Sequence, residues 1–125
     1  MIAIDASAAY ESLLSERADA VLESTQQLVA PDIIVGELLN ARWKSVRSHV
    51  PAPSVDAILG FLKRVRVVPC LAYATEAAEL AERLNHPVYD CFYIAVARRE
   101  TLKLLTIDAH LTRKLRTHKL GSLLA

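Results

Sequence analysis

The chain of 125 residues contains little glycine and proline, with only three glycines and five prolines. A disordered protein usually carries far more of these residues and far fewer apolar ones, so the composition argues against extended disorder. Hydrophobic residues make up 53% of the chain, and its length is that of one domain. We therefore expect a single domain over residues 1–125 with a compact core, and we find no repeat or internal boundary.

Cysteine is equally scarce, and no long apolar run is present. The two cysteines, Cys70 and Cys91, stand in apolar surroundings without metal-ligand spacing, as is typical of small core residues in a cytosolic protein. No stretch approaches the roughly 18 to 20 apolar residues that span a bilayer. A secretory signal has a basic segment followed by an apolar run, whereas here an acid, Asp5, stands near the N-terminus and no basic segment precedes an apolar run. We expect a soluble cytoplasmic protein without a membrane partner.

Several familiar catalytic motifs are also missing. The chain has no glycine-rich phosphate loop, no Gly-x-Ser-x-Gly motif and no dinucleotide-binding fingerprint. The histidines show no ligand pattern such as His-x-x-x-His, and we expect all four on the surface: His49, His86, His110 and His118. These absences disfavour the corresponding chemistries and leave the acidic residues as the main candidates for a site.

The formal net charge is only +1, but the charges are unevenly distributed. Residues 98–125 carry seven Lys or Arg and two acids, whereas the preceding 97 residues carry eight Lys or Arg and twelve acids. A basic C-terminal quarter indicates a polyanionic partner. A solvated helix face followed by a tail is the commoner explanation of such a charge run.

Short apolar runs alternate with helical patterns along the chain. The predicted strands are 2–4, 28–31, 66–70 and 103–107, with a weak fifth in the final LGSLLA. The predicted helices are 7–14, about 17–27, 33–48, 55–65, 73–84, 89–99 and 109–116. The helix over 89–99 is apolar on every side, which predicts a buried helix. This alternation predicts an α/β domain with a mainly parallel sheet of four or five short strands and helices on both faces.

An aspartate directly follows the first and the last main strand, in the near copies AIDA and TIDA. These residues are Asp5 and Asp108. Because the site of an open parallel sheet lies outside the carboxyl ends of its strands, the two carboxylates converge if the two strands are neighbours. For each aspartate alone, a helix N-cap is the better explanation. The pair is harder to explain in this way, because a cap can equally be Ser, Thr or Asn.

Two further acids deserve comparison with ordinary structural roles. Asp90 heads the apolar helix, where a charge is costly unless it is paired or binds a metal, although an N-cap after Pro87 explains it equally well. Glu37 lies on the polar flank of its helix with Asn40 and Lys44, where a solvated glutamate is the simpler explanation. If the four acids act together, their repulsion favours a hard divalent cation. Oxygen ligands without His or Cys suit Mg²⁺ or Mn²⁺, which can activate water for phosphodiester hydrolysis.

Four sequence blocks, in order and at suitable spacing, resemble the PIN-domain family and within it the VapC-type toxins of bacterial toxin–antitoxin pairs. The blocks are AIDASAA (3–9), APDIIVGELLNARWK (30–44), YDCFYIAVA (89–97) and LLTIDAHL (104–111). The resemblance covers nearly the whole chain and implies a three-layer PIN-like α/β sandwich with metal-dependent endoribonuclease activity. It also implies an RNA substrate, a cognate antitoxin and a homodimer.

The resemblance implies roles for individual residues. Asp5, Asp90 and Asp108 would hold Mg²⁺ or Mn²⁺ directly or through water, and Glu37 would be a further ligand or orient the attacking water. The polar residues that would hydrogen-bond the carboxylates or their waters are Ser7, Asn40 and Thr106. The candidates for RNA phosphate contacts are basic residues near the C-terminus: Arg98, Arg99, Arg113, Lys114 and Arg116.

Two alternatives to an endoribonuclease stay open. A non-catalytic PIN-like module would bind RNA or a protein without cutting, although mutually repelling carboxylates have no evident use in such a module. A metal-dependent DNA nuclease of the same fold would use the same phosphodiester chemistry. The brief final segment LGSLLA departs from the family pattern at the edge of the sheet.

Overall fold

A computed structural model of the chain describes residues 1–15 and 27–125. These residues contain four strands: β1 Ile2–Ile4, β2 Leu28–Pro31, β3 Val65–Val68 and β4 Leu104–Leu105. The strands form one sheet in the order β3-β2-β1-β4, and every pair is parallel. Strands β1 and β4 come from opposite ends of the chain but pair directly, with Ala3 opposite Leu104 and Ile4 opposite Leu105. The predicted parallel sheet of four strands is confirmed.

Six α-helices connect and cover these strands in the described ranges. They are α1 Ala6–Leu14, α2 Ile33–Arg47, α3 Val55–Leu62, α4 Ala74–Leu84, α5 Val88–Arg99 and α6 Ala109–Thr117. Two short 3-10 helices lie at Cys70–Tyr73 and Gly121–Leu123. The helix predicted for about 17–27 falls almost wholly outside the residues that the structure describes. No helix within 1–15 and 27–125 combines the length and the apolar content that crossing a membrane requires.

Both faces of the sheet are covered by helices, as a three-layer sandwich requires. Successive strand residues point to opposite faces, and all four residues of β2 are buried, as are Ala3 and Ile4 of β1. Helix α5 packs against β1, β2 and β4. Its buried residues, Cys91 and 93–97, explain why the sequence of this helix is apolar on every side. The predicted PIN-like α/β sandwich is confirmed.

The structure differs from the sequence prediction at several strand ends. Val65 begins β3 instead of ending α3, and Cys70 begins a 3-10 helix instead of ending β3. Strand β4 is confined to two residues, because the following backbone turns toward α1, where the Ile107 N–H bonds the Ser7 hydroxyl. The final segment forms a 3-10 turn and a single bridge between Leu104 and Leu124, so the weak fifth strand is reduced to one bridge.

Helix α2 shows a second difference between pattern and structure. Its broad apolar face is only narrowly buried, since Ile34 and Leu38 are inside while Trp43 is 52% and Val46 is 48% exposed. Asp32 occupies the N-cap position of α2, but its carboxylate accepts the Cys70 N–H at 3.0 Å instead of an N–H group of α2. Asp32 is therefore the N-cap by position, while its side chain fastens the turn that follows β3.

Candidate active site

Asp5 stands at the carboxyl end of β1 and caps α1. Its Oδ1 accepts the Ala8 N–H at 2.9 Å and the Ser7 hydroxyl at 2.7 Å, and only 3% of the residue is exposed. Burial raises the pKa of the Asp5 carboxyl above its ordinary value, although hydrogen bonds from Thr106, Ala8 and Ser7 oppose the rise. The nearby charge of Asp90 raises this pKa further.

A network of two hydroxyls joins the ends of β1 and β4. Ser7 Oγ lies 3.3 Å from Thr106 Oγ1 and accepts the Ile107 N–H at 3.2 Å. Thr106 Oγ1 in turn accepts the Asp108 N–H at 3.1 Å. Because β1 and β4 are adjacent, these two hydroxyls connect the segment that carries Asp5 with the segment that carries Asp108.

Asp108 is an N-cap as well as a candidate ligand. Its Oδ1 accepts the N–H groups of His110 at 2.9 Å and Leu111 at 3.1 Å, at the start of α6. The helix-cap explanation is therefore correct for Asp108, as it is for Asp5. It does not compete with a metal role, since each of these caps uses one of the two carboxylate oxygens.

Glu37 is half-buried and hydrogen-bonded, not a solvated surface glutamate. The hydroxyl of Tyr93 in α5 donates to Glu37 Oε1 at 2.6 Å, and Tyr93 is only 1% exposed. Burial raises the pKa of Glu37, the Tyr93 hydrogen bond opposes this, and the charges of Asp90 and Asp5 add to it. Tyr93 and Glu37 are 56 residues apart in sequence, so no local pattern pointed to this contact.

Asp90 lies in the first turn of α5, two residues after its first residue, and is not the N-cap, because Pro87 holds that position. Its Oδ2 lies 2.6 Å from Nε2 of His86. The prediction that all four histidines lie on the surface is wrong for His86, of which only 7% is exposed. His86 precedes the Pro87 N-cap and lies outside α5, so helix periodicity could not have revealed this pair.

Three of the four acids form one electrostatic group. The charge of Asp90 raises the pKa values of both Asp5 and Glu37, and the charge of Asp5 also raises that of Glu37. Within the described ranges, however, no three His, Cys, Asp or Glu side chains converge closely enough to hold one ion directly. The acids thus form a loose group at the carboxyl edge of the sheet, not a closed ligand cage.

A cavity of about 370 Å³ opens beside this group, between α1 and α2. Its lining includes Ser7 of α1, Glu37 and Asn40 of α2, and Ile107. Asn40 follows Glu37 by one turn of α2, so both share a helix face. Lys44 lies one turn further along and lines the same cavity as Glu37. This lysine is not among the site residues predicted from the sequence.

The predicted basic residues separate into two groups. Arg98 and Arg99 end α5, about 12 Å along the helix from Asp90 at 1.5 Å per residue, away from the acids. The Arg99 guanidinium donates to the Ala72 carbonyl and lies 4.9 Å from the centre of the Tyr73 ring. Contacts of these two arginines with RNA remain a prediction.

The second group lies on α6, the helix that Asp108 caps. Arg113 and Arg116 are exposed there, and Arg113 follows Asp108 by about 7 to 8 Å along the helix axis. Lys114 has a structural role, because its Nζ donates to the carbonyls of Leu84 at 2.9 Å and Asn85 at 3.2 Å. It thereby satisfies carbonyl groups at the end of α4.

Comparisons with known proteins agree with this architecture. Residues 2–115 match the model of the PIN domain, and the chain belongs to the PIN-domain family. It is similar to Ribonuclease VapC3 from Pyrobaculum aerophilum, with 29% identity over 105 residues that cover 80% of each protein.

Two solved structures share the fold. The structure of PAE2754 from Pyrobaculum aerophilum has a TM-score of 0.71 and 24% identity, over 98% of this chain and 93% of that one. A toxin-antitoxin complex from Klebsiella pneumoniae has a TM-score of 0.67 and 15% identity, over 92% of this chain and 90% of that one. At these identities the two likenesses concern the fold alone.

Proposed function

We propose that the chain is a metal-dependent endoribonuclease and the toxin of a toxin–antitoxin pair. The observation that carries the proposal is the group formed by Asp5, Glu37 and Asp90, in which burial and the nearby acids raise the pKa values of Asp5 and Glu37. Such a group destabilises a fold, so its presence indicates a function that needs clustered carboxylates. The similarity to a protein named as a ribonuclease supports RNA as the substrate.

The donor set fits Mg²⁺ or Mn²⁺. All candidate ligand atoms are carboxylate oxygens, and a cation would offset the repulsion that raises the pKa values of Asp5 and Glu37. Because no three described acids reach one point, Asp5, Asp90 and Asp108 would hold an ion partly through water, as is usual for Mg²⁺. Such an ion supplies an activated water and stabilises the departing oxygen of a phosphodiester.

The protein's own groups would position the reaction. Tyr93 occupies Oε1 of Glu37, so Oε2 is the atom that would orient the attacking water or accept its proton. A raised pKa suits Glu37 to this role, because a base works best when its pKa approaches the working pH. Ser7 and Thr106 would keep Asp5 and Asp108 in place, and Asn40 would face the substrate cavity.

We further propose a cognate antitoxin, a homodimer and a cytoplasmic location, where the RNA substrate is found. The structural neighbour described as a toxin-antitoxin complex supports the first of these. Exposed apolar side chains on α2 and α3, including Trp43 and Leu59, would be shielded in such assemblies. Light scattering of the chain, purified alone and with the product of an adjacent short reading frame, would measure both associations.

The proposed activity can be tested on RNA and single-stranded DNA side by side, with Mg²⁺, Mn²⁺ or EDTA. We expect cleavage of RNA with either metal and none in EDTA, because the clustered acids need a cation to act on a phosphodiester. We expect the DNA to stay intact, because the similar protein is named as a ribonuclease. Undiminished RNA cleavage in EDTA would contradict the metal requirement. Cleavage of DNA alone would indicate a DNA nuclease, and binding without cleavage would indicate a non-catalytic module.

The exposed arginines of α6 lead to a separate prediction about RNA binding. The double variant Arg113→Glu with Arg116→Glu should weaken RNA binding and reduce its salt dependence by about 0.7 in the log–log slope per lost phosphate contact on single-stranded RNA. Lys114 is left unchanged, since its contacts with the end of α4 would confuse binding with folding. Binding isotherms at several salt concentrations provide the measurement.

The matched control for this experiment is Arg64→Glu. Arg64 is exposed and stands at the amino end of β3, whereas Asp5 and Asp108 follow the carboxyl ends of β1 and β4. We expect its charge reversal to leave the salt slope close to that of the wild-type chain. Equal slopes for the wild type and the α6 double variant would contradict an RNA contact at Arg113 and Arg116.

A further inference from the structure

His86 is buried beside two of the acid-bearing segments. Its Nε2 lies 2.6 Å from Oδ2 of Asp90, in the first turn of α5. Its ring also packs against that of His110, with centroids 5.4 Å apart and an interplanar angle of 32°. His110 belongs to the first turn of α6, and its N–H is one of the two that Asp108 caps. The imidazole therefore touches the segments that present Asp90 and Asp108.

The backbone around His86 directs its ring inward. Asn85, the C-cap of α4, adopts the left-handed conformation with φ of 47°, and the His86 N–H bonds the Ala81 carbonyl at 3.1 Å. Lys114 of α6 holds the same turn by donating to the carbonyls of Leu84 and Asn85. These contacts tie the turn that carries His86 to α6.

The tautomer of His86 follows from its surroundings. Its Nδ1 is buried and has no hydrogen-bond partner among the residues the structure describes. A buried N–H without an acceptor is rarer in native proteins than an acceptor without a donor. An N–H on Nε2 is therefore the arrangement that gives Asp90 Oδ2 a donor without adding a buried N–H that lacks an acceptor at Nδ1.

We propose that His86 is a positioning residue that orients Asp90 for a divalent cation. Nε2 engages Oδ2, so Oδ1 would be the oxygen left for the ion. Hydrogen bonds to ligating groups orient them, and their loss typically weakens metal binding tenfold to a hundredfold. The inference rests on the proposed function, because it concerns the same carboxylate group. His86 itself is not proposed as a ligand, since its Nε2 is engaged by Asp90 Oδ2 and its Nδ1 is buried.

Two amide variants separate this role from simple packing. The amide nitrogen of His86→Gln is the same number of bonds from Cα as Nε2, whereas that of His86→Asn corresponds to Nδ1. We expect Mn²⁺ binding, measured by calorimetry on the full chain, to weaken about tenfold in His86→Asn. His86→Gln should restore it to within about threefold of the wild type, because its amide N–H can reach Oδ2. Urea unfolding of both variants without metal would record their stabilities.

A metal-free measurement completes the test. Long-range ¹⁵N NMR of the wild-type chain should show His86 in the Nε2–H tautomer, with a changed Nε2 signal in Asp90→Asn. An Nδ1–H tautomer would overturn the inference whether or not metal binds. The inference would also be overturned if the wild-type chain binds Mn²⁺ and the two variants, His86→Gln and His86→Asn, bind it with equal affinity. A wild-type chain that binds neither Mn²⁺ nor Mg²⁺ would instead overturn the proposed metal chemistry.

Discussion

Replacing Asp5 with asparagine is expected to lower RNA cleavage by about 100-fold or more and to stabilise the metal-free protein at neutral pH. Asparagine keeps an oxygen that can accept from Ala8 and Ser7, and it is a favourable N-cap, so α1 retains its start. The substitution removes a buried charge whose pKa is raised by desolvation and by Asp90. Single-turnover cleavage assays and urea unfolding of the same protein measure both effects.

The stabilisation by Asp5→Asn should depend on pH in a defined direction. A raised pKa means that the folded chain binds a proton more tightly than the unfolded chain, so wild-type stability gains from this group as pH falls through its folded pKa. The advantage of the variant is therefore greatest at neutral pH. It disappears below the ordinary aspartate pKa of 3.8, where Asp5 is protonated in both states.

Asp32→Asn is the matched control, with the opposite sign. Hydrogen bonds from Cys70 lower the pKa of Asp32, so its charge stabilises the fold above the ordinary pKa of 3.8, and the benefit is lost as pH falls through the lowered value. This variant should be slightly less stable than the wild type at neutral pH and should cleave RNA normally. If Asp5→Asn also lost stability and kept its activity, the functional assignment of Asp5 would be wrong.

Replacing Tyr93 with phenylalanine is expected to reduce cleavage about tenfold at neutral pH and to shift the acidic limb of the pH–rate profile upward. The Tyr93 hydroxyl is the group that holds the pKa of Glu37 down against burial and the charges of Asp90 and Asp5. Without it, the pKa of Glu37 rises further, which moves the acidic limb, and Oε1 loses the donor that orients the carboxylate, which lowers the rate. Measurements of kcat/KM across pH would show both changes.

Tyr73→Phe provides a matched control, because Tyr73 makes the same kind of contact elsewhere. It is buried, and its hydroxyl donates to Glu100 Oε1 at 2.7 Å, beyond the end of α5. Removal of this hydroxyl should affect stability to a similar extent and leave the pH profile in place. A profile that moves equally in Tyr73→Phe and Tyr93→Phe would show that the shift reports general loosening of the fold.

Local patterns in the sequence determined most of the secondary structure and the positions of two acids. The alternation of short apolar runs with amphipathic stretches predicted four strands and the helices between them, because these periods follow directly from backbone geometry. The turn from strand to helix placed Asp5 and Asp108 at the carboxyl edge of a parallel sheet. Strand ends were less accurate, since tertiary contacts such as the one between Ile107 and Ser7 decide where pairing stops.

Tertiary structure alone decided how the remaining groups act. Glu37 has the helical position of a solvated residue, and only the packing of α5 brings Tyr93, 56 residues away in sequence, onto its carboxylate. His86 stands in a polar break between helices, yet the left-handed end of α4 turns it into the interior against Asp90. Periodicity encodes which face of an element is apolar, but burial and pKa depend on which elements meet, and the strand order β3-β2-β1-β4 sets that.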